Sequence, residues 1–165
     1  MPAGPAAYED DAMAGEDRFL EDVVVGEVWE GAPIEVSEAA IVAFAQAYDP
    51  QPMHIDPQAA KAGMFGSLIA SGWHLTALVM RQFVDAKPFG STPLLGMGVD
   101  ALRWLAPVRP GDVLTVRREV LEVTRSASKP DRGTVRSLCE TRNQNGVVVM
   151  RFETLTRMPA RSVAA

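Results

Sequence analysis

The sequence predicts an α+β domain in which an antiparallel sheet wraps around one central, mostly buried helix. Three observations carry this expectation. Four segments between residues 94 and 158 have the length and alternation of strands. One segment, residues 71–85, is apolar around most of a helical circumference, as a buried helix is. The chain has 165 residues, 47% of them apolar, which suits a single domain with one core.

The elements follow in order. Residues 1–18 are acidic and read as a flexible lead-in without a charged-then-apolar signal pattern. Residues 19–158 read as the domain and 159–165 as a tail. The Val-rich, glycine-broken stretch 19–36 predicts a loop and then one strand ending near Val36. Ser37 is a good cap for the helix that follows, where Ile41, Phe44, Ala45 and Tyr48 form one apolar stripe. Pro50 ends that helix by pushing Asp49 out of the α region, and Pro52 and Pro57 predict an extended, stiff loop. Ser71 is placed to cap the second helix. Strands are expected at 94–108, 112–124, 134–144 and 147–158. The connector at 129–133 is turn-rich, and Asn145-Gly146 signals a hairpin.

Composition narrows the function. The net charge of −5 and the lack of a basic run argue against nucleic acid as a partner. No apolar run approaches the roughly 18 residues of a membrane span. Cys139 is the only cysteine, so no intrachain disulfide forms, which fits a cytoplasmic location. Its place in an alternating strand predicts a buried, unreactive thiol. Two histidines and one cysteine without close ligand spacing argue against a metal site.

The stretch AYDPQPMHIDP, residues 47–57, places Asp49 and His54 on either side of a proline-held loop. Two readings stand side by side. The residues end a helix and make a turn, or they share one water and activate it for addition to a carbon–carbon double bond. A second stretch, GSLIASGWH at 66–74, puts Gly72 at a helix start. Its N–H could hold a developing enolate oxygen, or its small size serves close packing. His74 reads as a substrate contact or as a hydrogen-bonded core residue. Trp73 and Trp104 read as packing residues. Lys129, Arg132 and Arg136 form a charge-rich turn, either solvated or facing a phosphate.

Together, FAQAYDPQPMHID (44–56), FGSLIASGWHLTALVM (65–80) and LRWLAPVRPGDVL (102–114) resemble the MaoC-like hydratases and dehydratases of the hot-dog fold, which include the (R)-specific enoyl-CoA hydratases. The resemblance covers about residues 20 to 158. It implies reversible syn hydration of a 2-enoyl-CoA to a (3R)-hydroxyacyl-CoA, with coenzyme A thioester as substrate and no cofactor. It assigns the water-binding aspartate and histidine to Asp49 and His54, with Asp49 the expected general base and His54 holding the water and sharing in proton transfer, and the thioester-holding glycine to Gly72. Gln51, Ser71 and His74 are the expected substrate contacts. The sequence departs from the family pattern at Gln51, where asparagine is common, at Ser71, where histidine is common, and at Met80, where a serine is often found.

Two other functions share the fold. A thioesterase would attack the same class of substrate with water, but generally lacks the Asp-x4-His loop. A non-catalytic acyl-CoA binding module would keep the cleft and lose turnover. The expected assembly is a homodimer or a dimer of dimers, with each site at a subunit boundary, because a sheet around one helix leaves an open edge and an apolar flank.

Overall fold

Alternation decides the sheet. In the computed structural model, which describes residues 17–90, 92 and 94–161, every second residue of Arg132–Arg142 is buried, from Gly133 through Val135, Ser137 and Cys139 to Thr141. This strand, β5, is the middle of an antiparallel sheet. The strands are β1 (Val28–Glu30), β2 (Ile34–Glu35), β3 (Leu95–Trp104), β4 (Val113–Arg125), β5 and β6 (Val148–Pro159). Their order is β1-β4-β5-β6-β3, with β2 also pairing with β4. The stretch expected to hold one strand before Val36 holds two short ones, separated at Gly31.

The β5–β6 hairpin closes where Asn145-Gly146 predicts it, but with a three-residue loop. Gly146 takes φ 76°, and its N–H donates to the Asn143 carbonyl at 2.9 Å. The Asn143 side chain accepts from Asn145 and Val147 N–H. Glycine supplies the left-handed residue this loop type requires.

The helices are α1 (Glu38–Tyr48), α2 (Pro52–Ile55), α3 (Pro57–Ala62) and α4 (Gly72–Ala86). Ser37 caps α1 by accepting from Ala40 N–H at 3.2 Å. Ile41 and Ala45 are buried beneath it, whereas Tyr48, expected in the same stripe, is 76% exposed. The prolines after α1 do not hold an extended loop. Pro52 and Pro57 each occupy the first position of a short helix, where a fixed φ helps and a missing N–H is not needed. Gln51 and Asp56 stay extended before them. Asp56 also caps α3, accepting from Gln58 and Ala59 N–H.

Helix α4 packs against one face of the sheet. Leu75 and Val79 join Val36, Ile41, Val116, Cys139 and Met150 in the main core. A second cluster forms around Leu20, Phe89, Val120, Val135 and Met158. The opposite side of α4 is apolar yet exposed, at Trp73, Met80 and Val84. Along edge strand β3, Leu95, Met97, Val99 and Trp104 are exposed as well. The packed body also runs past both expected boundaries. Arg18 pairs with Glu27 at 2.7 Å, and Ala160 is buried with its N–H on the Asp131 carbonyl. The flexible lead-in and the tail otherwise lie outside the described residues.

Gly133 sets how closely the first described segment meets the sheet. A Cβ there would overlap the Leu20 side chain and the Thr124 carbonyl, and the latter is backbone that cannot step aside. Gly133→Ala should therefore cost about 1–3 kcal/mol, the range of core overpacking, read as a lower urea midpoint. An unchanged midpoint would mean that this contact is looser than described.

Candidate active site

Asp49 stands at the C-terminal end of α1, turned out of the helix before Pro50, with its N–H on the Ala45 carbonyl at 2.8 Å. Its carboxylate is gripped from two sides. Oδ1 accepts from Gln51 Nε2 at 2.7 Å, and Oδ2 accepts from the Ser71 hydroxyl at 2.6 Å. The Ser71 hydroxyl first, then the Gln51 amide, hold this carboxyl below the usual carboxylate range; His54 adds to the effect and burial opposes it.

The short helix α2 delivers His54 to the same place. The backbone tie from Ile69 N–H to the Met53 carbonyl brings residues 53 and 69 together. His54 Nδ1 lies 2.8 Å from the Ile69 carbonyl oxygen. A carbonyl only accepts, so Nδ1 carries a proton, and Nε2 is the ring nitrogen turned toward Asp49. Nε2 stands 3.5 Å from Asp49 Oδ2, and the histidine is buried. That distance is too long for a good hydrogen bond, and it suits two groups sharing one small molecule.

Ser71 precedes α4, where the sequence places a cap, but it makes no cap hydrogen bond because its hydroxyl is committed to Asp49. No side chain thus caps the first turn of α4, which starts at Gly72 beside the Asp49–His54 pair. Free amides and the positive end of a 15-residue helix meet there. The Trp104 indole packs directly on Gly72, and a Cβ would overlap it. Trp73 meets Trp104 edge-on at 5.2 Å between ring centroids.

These groups line one cleft of about 570 Å³. Of the six residues expected from the sequence, Asp49, Gln51, His54, Ser71 and Gly72 line it. His74 does not. It points into the interior, stacked on Phe44 at 4.9 Å, and burial lowers its pKa and favours the neutral ring. Met80 lies further along α4 and lines a different cavity. Arg132 is paired with Asp131, and Arg136 with Asp100 and Glu153, so their charges are answered within the chain. Sequence reasoning missed Trp73 and Trp104 as cleft walls, along with Tyr48, Met53 and Phe65. The sequence carried no local signal for them, because the exposure of Trp73 on α4 and Trp104 at the end of β3 is set by the tertiary structure.

Comparison with known proteins bears on the family and the fold. Residues 22–143 match the model of the MaoC like domain family. The chain is 30% identical over 147 residues to the 3-hydroxybutyryl-CoA dehydratase of Methylorubrum extorquens, covering 88% of this chain and 87% of that one. The crystal structure of the MaoC-like dehydratase from Rhodospirillum rubrum superposes with a TM-score of 0.79 at 42% identity, over 88% of this chain and 99% of that one. The unliganded (R)-hydratase PhaJ1 of Pseudomonas aeruginosa does so with a TM-score of 0.72 at 27% identity, over 90% of this chain and 93% of that one. An antiparallel sheet around a central helix, an aspartate and a histidine facing one cleft at that helix's open end, and the match over residues 22–143 lead to one conclusion: the chain belongs to the MaoC-like dehydratase family.

Proposed function

We propose that the protein catalyses reversible hydration of a 2-enoyl-CoA to a (3R)-hydroxyacyl-CoA, or the reverse dehydration. The observation that carries this reading is the 3.5 Å pairing of Asp49 Oδ2 with His54 Nε2 beside the uncapped start of α4. In the hydration direction a water binds across the two groups from the cleft side. His54 Nε2, with its lone pair toward the cleft, takes a proton from it as the oxygen bonds to C3. The C2–C3 π electrons move toward the thioester oxygen, which accepts from the Gly72 N–H. The enolate then collapses and C2 takes a proton from the His54 imidazolium, so that H and OH have been added and the histidine is neutral again. Delivery from one dyad on one face gives syn addition.

Asp49 was the expected base. Its hydrogen bonds favour another division of labour. A carboxylate stabilised by Ser71 and Gln51 is a weak proton acceptor, but it is a good partner for water and for the imidazolium. Trp73, Trp104 and Leu105 are exposed in the single chain and form one wall of the cleft, continuous with the exposed face of α4 and β3. A second copy covering that face would close the cleft, which supports a homodimer as the functional unit. No helix among the described residues is long and apolar enough to cross a membrane.

Incubation with crotonyl-CoA should remove the enoyl absorbance without releasing free thiol; thiol release would point to hydrolysis instead. Asp49→Asn and His54→Ala should each lower hydration at least about a hundredfold, with non-additive loss in the double variant. Melting should shift by only a few degrees. Near-normal turnover in both single variants would assign the loop a structural role alone.

Ser71→Ala tests the grip on Asp49. The folded pKa of Asp49 is depressed, so its partners contribute stability that is present above the unfolded value of about 3.9 and lost as pH falls through the folded value. Removing the hydroxyl should raise the Asp49 titration, followed by carboxyl ¹³C NMR, and the variant should lose less stability on acidification than the wild type. A titration that stays in place would remove the hydrogen bond from the account.

Light scattering at micromolar concentration should give at least a dimer mass. Met97→Glu, on the exposed edge strand, should shift it toward the monomer. A monomeric wild type would overturn the assembly.

A further inference from the structure

Strand β4 carries an anomaly. Its inward phase runs Leu114, Val116, Arg118, Val120, all buried, so an arginine occupies a position where alternation calls for an apolar residue. Arg118 is 5% exposed. Its guanidinium lies 3.9 Å over the Phe83 ring of α4, and it hydrogen-bonds the side chain of its register neighbour Cys139. Burial pushes that thiol up to about 11, so it stays neutral and offers no counter-charge. Arg118 makes no ion pair among the described residues, and its Nε has no hydrogen-bond partner. The nearby carboxylate Glu27 is already held by both arms of Arg18, at 2.7 and 2.8 Å. A ring face and a neutral thiol answer this cation only in part, and burying a charge without a counter-charge is costly, so the arrangement has room for an anionic partner.

Arg118 lines a cavity of about 320 Å³ between the C-terminal half of α4 and edge strand β3, separate from the Asp49 cleft, and its rim of Met80, Val84 and Val99 belongs to the exposed face that a second copy would cover. The cavity is mostly apolar, with Phe83, Phe89, Leu94 and Val99 in its walls. Its only charged lining residues are Lys87 and Arg118, both positive, in a chain whose net charge is −5. Thr154, on β6 two strands away from Arg118, also lines it, and its buried hydroxyl has no partner. Two polar side chains, each with a buried atom that has no partner, therefore line one apolar chamber. The same helix and edge strand border both sites: Gly72 and Trp104 at the cleft, Phe83 and Val99 at the cavity.

We infer that this cavity receives the distal end of an acyl chain that terminates in a carboxylate, with Arg118 as its counter-ion and Thr154 as a second donor. The substrate class is then the ω-carboxylated enoyl thioester, and the identity of the thioester end rests on the hydratase reading above. Apolar walls fit the methylenes, the guanidinium fits a planar carboxylate, and the cationic lining disfavours a competing cation.

The test compares ω-carboxylated and methyl-terminated 2-enoyl-CoAs of equal length, over short, medium and long chains. Both members of each pair carry the same coenzyme A, so their ratio isolates the acyl end from the phosphates. The wild type should favour the carboxylated member in kcat/KM by about tenfold or more, the scale of one charge-assisted hydrogen bond, mostly through KM. Arg118→Met should reverse that preference, and Thr154→Val should reduce it severalfold. Calorimetry with the saturated ω-carboxyacyl-CoA needs no turnover and should show tighter binding than its methyl-terminated counterpart in the wild type only. Absence of turnover on every enoyl thioester would sink the hydratase reading, while calorimetry would still decide this one. A wild type that binds the methyl-terminated member as tightly at all lengths overturns the inference. So does an Arg118→Met variant that loses both members in proportion or loses its oligomeric mass, since Arg118 would then serve the scaffold. If Arg118→Met does not fold, Thr154→Val and Arg118→Lys carry the same comparison: an unaltered ratio in both overturns the assignment.

Discussion

The hydrogen bond from Ser71 to Asp49 is the contact on which the site depends. It ties the end of α1 to the start of α4 at 2.6 Å, across 22 residues of chain. One hydroxyl has two effects. It fixes the carboxylate in an ionised, oriented state, and in doing so it ceases to cap α4, leaving the helix's first turn without a side-chain acceptor. A helix start that would ordinarily be satisfied by its own serine is thereby open toward the cleft.

The prolines make that contact possible by breaking the chain at fixed places. Pro50 turns Asp49 out of α1, Pro52 starts the single turn that carries His54, and Pro57 starts α3. Each break is local, yet their sum sets the distance between a carboxylate and an imidazole. The histidine is then locked by a main-chain carbonyl on Nδ1, so one tautomer and one ring orientation face Asp49. Rigid placement of this kind is what water activation needs, because misplacement by about 1 Å is enough to lose much of the rate.

Polar groups on the helix-packed face of the sheet follow a different logic from those of the cleft. Asp49, His54 and Ser71 answer one another. Arg118 and Thr154 do not pair with one another, and each keeps a buried polar atom without a partner. Satisfied polar groups organise a protein, whereas buried unsatisfied ones usually mark a place where something else belongs. The contrast separates the part of the molecule built for the reaction from the part proposed to select its substrate.

The sequence by itself determined the elements whose signals are local. Alternation in 134–144 and 147–158, the Ser37 cap, the Asn-Gly hairpin and the helix stop at Pro50 each depend on a few neighbouring residues. The Asp49–His54 spacing and the glycine before Trp73 made most of the site legible in the same way. What lay outside that reach was decided by contacts between distant segments. The extended loop expected at 52–57 became two short helices, the first of them tied by its backbone to residue 69. Ser71 gave up its cap for an aspartate 22 residues away. His74 turned inward onto Phe44, whereas Trp104 became a wall of the cleft beside Gly72. Period and capping are properties of one segment, and the sequence carries them. Which of two polar partners a side chain takes depends on free energies set by segments that meet only on folding, so that choice belonged to the tertiary structure.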